Sequence, residues 1–221
     1  MIGSMSLCVR VVCGVLLLVP GLAFAALPIE NRPVLPYEAL AIDAMIEEKQ
    51  VYLGDLRGDP HMYEVTIAEP KQFVATLWQR PESDVVVPFS LILVKSNDNN
   101  RGVTEVGRLV GKEVTWNTIY DGVLAMKLAR SEAIVHELSP GTYRFEVSTP
   151  ENIGRYMIVV GEDSSSAGYL ATLKEIRAVH QFFGVSGLRL LISTHVMYLL
   201  GSAFLLASLL YLGYRRRLRH V

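Results

Sequence analysis

Asp55, Asp59, His61 and Glu64 surround the turn Gly58-Asp59-Pro60, and carboxylate oxygens with an imidazole nitrogen are ordinary ligands for a divalent cation. A lone His among scattered carboxylates lacks the paired-ligand spacing of a zinc site, so the four residues read as a solvated turn. Asn97-Asp98-Asn99-Asn100 offers oxygen donors to Ca²⁺, but its spacing departs from the EF-hand loop and fits an Asx-rich turn. No metal and no other cofactor is expected.

Nucleophilic catalysis needs a hydroxyl or thiol beside an oriented base. The chain has no G-x-S-x-G elbow, Walker loop or dinucleotide fingerprint. His136 precedes Glu137 in a predicted strand, where neighbours point to opposite faces, which disfavours a dyad. A membrane-anchored hydrolase would have to assemble its site from distant residues such as His61, His136 and His180. The aromatics Tyr52, Tyr63, Trp78, Trp116 and Tyr120 could form a sugar- or peptide-binding surface, although aromatics in a sandwich more often fill its core.

The elements that must position these residues lie between a leader and an apolar segment. Residues 1–25 read as a signal peptide: Arg10, an apolar run over 11–19, Pro20-Gly21, then Ala23-Phe24-Ala25 as a cleavage site. Cys8 and Cys13 both precede that site, so the mature chain would carry no disulfide and no thiolate metal site. Residues 190–212 contain no Asp, Glu, Lys or Arg and lead into Arg215, Arg216, Arg217 and Arg219. That length suits a transmembrane helix, and the Arg cluster places the C-terminus in the cytoplasm and the N-terminal domain outside the cell membrane. Within the span, His195 and Ser202 share a face at i, i+7, and Ala203 with Ala207 forms a small-xxx-small pair; together they suggest helix association, including homo-oligomers.

Residues 26–187 hold all 22 Asp and Glu against 15 Lys and Arg, a net −7. An acidic domain lacks the basic footprint that nucleic-acid binding requires. Pro28, Pro33 and Pro36 make residues 26–47 an extended arm or linker. Residues 48–162 then change to period two, with strands over 50–54, 61–67, 73–78, 89–94, 133–138, 142–148 and 155–161; the stretch 103–127 gives no clear elements. Several short strands between turn residues predict an all-β, antiparallel sandwich of jelly-roll type. Tyr143, Phe145 and Val147 share one face, as do Tyr156, Ile158 and Val160, which suggests an antiparallel hairpin closing the domain. Residues 163–187 form an amphipathic helix, opened by Asp163-Ser164-Ser165-Ser166, that either packs on the sandwich or lies on the bilayer with Phe182 and Phe183 among headgroups. The membrane span occupies 188–213 and a basic tail 214–221.

Leu138-Ser139-Pro140-Gly141-Thr142-Tyr143-Arg144-Phe145-Glu146-Val147, followed by Gly154-Arg155-Tyr156-Met157-Ile158-Val159-Val160-Gly161, resembles the closing strands of bacterial pre-peptidase C-terminal (PPC-like) domains. Val51-Tyr52-Leu53-Gly54-Asp55-Leu56 with Met62-Tyr63-Glu64-Val65 is similar to their opening strands. The resemblance spans residues 48–162 and implies a jelly-roll β-sandwich that mediates binding rather than catalysis. The order of leader, sandwich, helix, span and basic tail also resembles cargo receptors of the p24 type, whose sandwich carries a Cys pair absent here. The expectation is therefore a non-catalytic, single-pass binding or adaptor module that presents its sandwich to a protein or cell-envelope ligand.

Overall fold

A strand that lies on a core buries every second side chain, and that alternation builds most of this chain. The computed structural model describes residues 28–218 apart from 34, 84, 98–101 and 163–167, with side chains described as far as Arg215. The leader over 1–25, the Asp98-Asn99-Asn100 part of the candidate Ca²⁺ loop, the capping run Asp163-Ser164-Ser165-Ser166 and Arg219 lie outside the described residues.

Among the described residues there are twelve strands: β1 (Ile29–Asn31), β2 (Ala39–Ala41), β3 (Gln50–Arg57), β4 (His61–Ile67), β5 (Lys71–Gln79), β6 (Ser90–Ser96), β7 (Val103–Leu109), β8 (Asn117–Asp121), β9 (Met126–Arg130), β10 (Ile134–Leu138), β11 (Gly141–Ser148) and β12 (Ile153–Val160). They form a larger sheet in the order β1-β3-β12-β5-β9-β8, with β10 beside the first half of β5, and a smaller sheet β2-β4-β11-β6-β7. The two sheets face each other as a β-sandwich. Tyr63, Val65, Leu91, Leu93, Phe145 and Val147 of one sheet meet Tyr52, Leu56, Phe73, Leu77, Ile158 and Val160 of the other.

Two sequence expectations change here. The strands β11 and β12 do not pair as a hairpin: β11 bonds to β4 and β6, whereas β12 bonds to β3 and β5. Period two identifies the buried face of a strand but not its hydrogen-bonded neighbour, so the two aromatic faces meet across the core rather than side by side. The Pro-rich arm is likewise only partly irregular. It adds β1 to the larger sheet and β2 to the smaller one, each parallel to its neighbour.

A helix forms a third layer. The helix α1 (Tyr169–Phe182) buries Ile176 and Val179 against Val51, Leu53, Leu128 and Met157 on the outer face of the larger sheet. Phe183 is buried there too, so the helix packs on the sandwich and its phenylalanine does not reach headgroups. Its end is a Schellman turn: the Val185 N–H donates to the His180 carbonyl at 2.8 Å and the Gly184 N–H to Gln181 at 3.2 Å, with Gly184 at φ 64°. Arg80 and Arg155 donate to the helix-end carbonyls of Phe183 and Phe182 at 2.8 and 3.0 Å.

After a short 3-10 segment (Gly187–Ile192), the helix α2 runs over Thr194–Leu218. Its 22 residues Thr194–Arg215 are apolar enough by composition to cross a membrane, unburied by the rest of the protein, and roughly 33 Å long at the α-helical rise against a hydrocarbon core of about 30 Å. The apolar run at 190–193 is thus not part of that helix. Ser193 has extended backbone, and its hydroxyl accepts from the Val196 N–H at 3.4 Å, so it caps a new helix that hydropathy alone does not detect. This moves His195 from two turns inside the span to its first turn, where its ring stacks on Tyr169 at 5.9 Å.

Candidate functional site

The described residues form a cleft of about 440 Å³ at the β1 edge of the larger sheet, lined by Glu30, Asn31, Arg32, Pro33, Asp55, Arg57, Asp59 and His61. Three local features bring these residues together. Parallel pairing of Ile29–Asn31 with residues 52–54 lays the arm beside the middle of β3 and directs it toward Asp55 and Arg57. Gly58, at φ 109°, supplies the left-handed turn that L side chains resist and returns the chain to β4. His61 then takes the inward parity of Tyr63, Val65 and Ile67.

The rim is zwitterionic. Arg32 pairs with Glu30 at 2.6 Å and Arg57 with Asp55 at 2.8 Å, while Arg155 approaches Asp55 at 3.7 Å. Beneath it a line of polar groups enters the sandwich. His61 Nδ1 lies 3.0 Å from the Tyr156 hydroxyl, which lies 2.9 Å from the Tyr63 hydroxyl. The Tyr63 ring meets Tyr52 edge-on at 5.6 Å. Tyr52 donates to Gln50 Oε1, and Gln50 Nε2 donates to the Met45 carbonyl at 2.9 Å. Gly54 is what lets Tyr156 lie here, because a Cβ at that position would overlap the phenol ring.

Burial sets the protonation of this line. It pushes the hydroxyls of Tyr52 and Tyr63 up to about 12 and that of Tyr156 well above its ordinary value. It pushes His61 down, against the opposing pull of Asp55. At neutral pH the tyrosines are therefore protonated donors and His61 is uncharged, an arrangement suited to hydrogen bonding. Asn31 is 4% exposed. It lies near enough to Tyr63 to favour the phenolate slightly, yet its Nδ2 reaches no acceptor at hydrogen-bond geometry. A buried amide without an acceptor is a position for a ligand oxygen or a water.

No family model and no curated protein matches the chain. Among solved structures it is similar to the pre-peptidase C-terminal domain of collagenase from Bacillus anthracis, at 18% identity and a TM-score of 0.34, over 59% of this chain and 97% of that one.

Of the residues singled out in the sequence, Asp55, Asp59 and His61 do share the cleft. Glu64 does not: it has the opposite parity on β4 and pairs with Arg144 at 2.6 Å on the outer face. Among the described residues no group of three or more His, Cys, Asp or Glu is placed to hold a metal ion. His136 lies against Gly107 of β7, and His180 bonds through Nε2 to the Leu124 carbonyl. The three histidines thus stand in three separate places.

The proposed aromatic surface is corrected by burial. Tyr52 and Tyr63 are interior, because they share the inward parity of Leu56 and Val65. Trp78 is half-buried beside α1, with Nε1 donating to Thr76 Oγ1 at 2.8 Å and Arg130 over its ring at 5.1 Å. Trp116 packs against the inter-sheet core, and Tyr120 on β8, at 61% exposed, is the one of the five that is exposed. Sequence reading missed Glu30, Asn31, Arg32, Arg57 and Tyr156. One signal was available: a His at the inward parity of an apolar strand requires a buried polar partner.

Proposed function

We propose that the protein is a single-pass, membrane-anchored binding module that holds its β-sandwich outside the cytoplasm and takes a protein or cell-envelope ligand in the cleft at the β1 edge. The observation that carries this reading is the placement of the two functional ends. The cleft opens at β1, while α2 meets the hairpin that joins β8 to β9, at the opposite edge of the same sheet. Five strand spacings separate β1 from β8, about 24 Å across the sheet, so a ligand in the cleft stands clear of the anchor. The uncovered apolar length of α2 and its arginine end support the anchor and its direction. Ala203 and Ala207 lie on the uncovered surface of α2, consistent with association between spans, whereas the Ser202 hydroxyl turns back to the Leu199 carbonyl at 2.9 Å.

Crosslinking in intact cells followed by capture through a C-terminal tag tests the binding role. The double variant Arg32→Glu with Arg57→Glu turns the zwitterionic rim acidic and should lose heteromeric partners that Arg108→Glu, on β7 of the other sheet, retains. An unchanged partner set would remove the cleft from the proposal. Protease added to spheroplasts should digest the sandwich and spare the tag; the reverse pattern would sink the orientation.

A further inference from the structure

Gly187–Ile192 is mostly apolar, faces outward except at Leu190, and leads directly into the start of α2. A 3-10 helix repeats every three residues, so Leu188 and Leu191 stand on one ridge. They are 75% and 54% exposed, and Ile192 beside them is 56% exposed. Leu190 instead packs inward on the layer beneath α1. The segment is therefore anchored by one leucine and offers three large apolar side chains to its surroundings, with Arg189 as its single charge.

The junction leaves no slack. Ser193 is fully buried, the Thr194 N–H donates to the Gly122 carbonyl at 2.9 Å, and the Tyr169 hydroxyl donates to the His195 carbonyl at 3.4 Å. Gly122 belongs to the turn after β8; Val123 of that turn and Tyr120 near the end of β8 are exposed. We propose that Leu188, Leu191 and Ile192 rest in the boundary between headgroups and acyl chains of the outer leaflet, so that the sandwich stands against the bilayer by its β8 edge instead of swinging on a stalk. This rests on the reading of α2 as a membrane span. The occupant is lipid because Leu188 lies only six residues before Thr194, roughly 12 Å at the 3-10 rise, and those residues are pinned to the span's first turn. Apolar side chains held at that depth, with an arginine able to reach phosphate, have the composition of an interfacial segment. Tyrosine also suits that depth, and Tyr198, 80% exposed, lies four residues into α2.

Spin-label depth measurements on the full chain test the proposal. Cys8→Ser and Cys13→Ser remove the native thiols, and single labels are then placed by Leu188→Cys, Leu191→Cys, Val103→Cys on the other sheet, and Phe204→Cys within the span. The proteins are reconstituted in phosphatidylcholine–phosphatidylglycerol vesicles. At 188 and 191 collisions with oxygen should exceed those with a water-soluble nickel chelate at least twofold, with 204 deeper still and 103 aqueous. If 204 is in lipid while 188 and 191 are as aqueous as 103, the docking is overturned and the span stands. If 204 is aqueous as well, both readings fall.

Discussion

At the β1 edge of the larger sheet the chain places charged and hydrogen-bonding groups that continue inward through His61, Tyr156 and Tyr63, whereas from β3 across to β9 the outer face of that sheet carries an apolar layer under α1, and the sheet ends at β8 beside the first turn of α2. The contrast follows from what each side must satisfy. Buried hydroxyls need directional partners, so the β1 side depends on a few exact donors and acceptors. The α1 layer depends on apolar area, which tolerates changes of shape better than changes of polarity.

The largest effect should come from putting charge into the apolar layer. Val179→Asp buries an unpaired carboxylate beneath α1 and should destabilise by about 4 kcal/mol or more, read by denaturant unfolding of the detergent-solubilised chain through tryptophan fluorescence. Gly54→Val forces a side chain into the Tyr156 ring, which is fully buried and cannot move aside; overpacking should lower stability by about 2–3 kcal/mol. Tyr156→Phe keeps the packing but removes the hydroxyl between His61 and Tyr63, for about 1–2 kcal/mol. A neutral result there would mean that the tyrosines are ordinary filling and that the two sides do not differ in kind.

The smallest effect is a pH dependence. Burial holds the His61 imidazole below its ordinary value, so as pH falls the unfolded chain takes up that proton first. The His61 contribution is therefore whole above the unfolded value of about 6.5 and is lost as pH falls through that value toward the folded one. Melting temperature should drop over that window, and His61→Gln should flatten the drop. An equal slope in wild type and variant would show that another group titrates.

Much of this arrangement could be read from residue order. The parity of Tyr143, Phe145 and Val147 gave the buried face of β11, and the run His61–Ile67 matched β4 residue for residue. The β7 and β8 strands in 103–127 were obscure because both are largely exposed edge strands with little apolar alternation to read. The cleft was half visible. Asp55, Asp59 and His61 are close in sequence, but Tyr156 reaches them only through the pairing of β12 with β3, and Asn31 only through a three-residue parallel contact. Local patterns do not encode either partner.

The place of β12 also bears on how the domain comes to exist. It is the last strand described, yet it lies between β3 and β5 and pairs Val160 with Gln50, joining segments roughly 100 residues apart, the kind of distant contact that slows folding into the millisecond-to-second range. Until it arrives, β3 and β5 present open edges that could recruit other chains. The synthesis order therefore makes the sandwich a late-closing structure, and its final stitch is followed within a few residues by the helix that covers the seam.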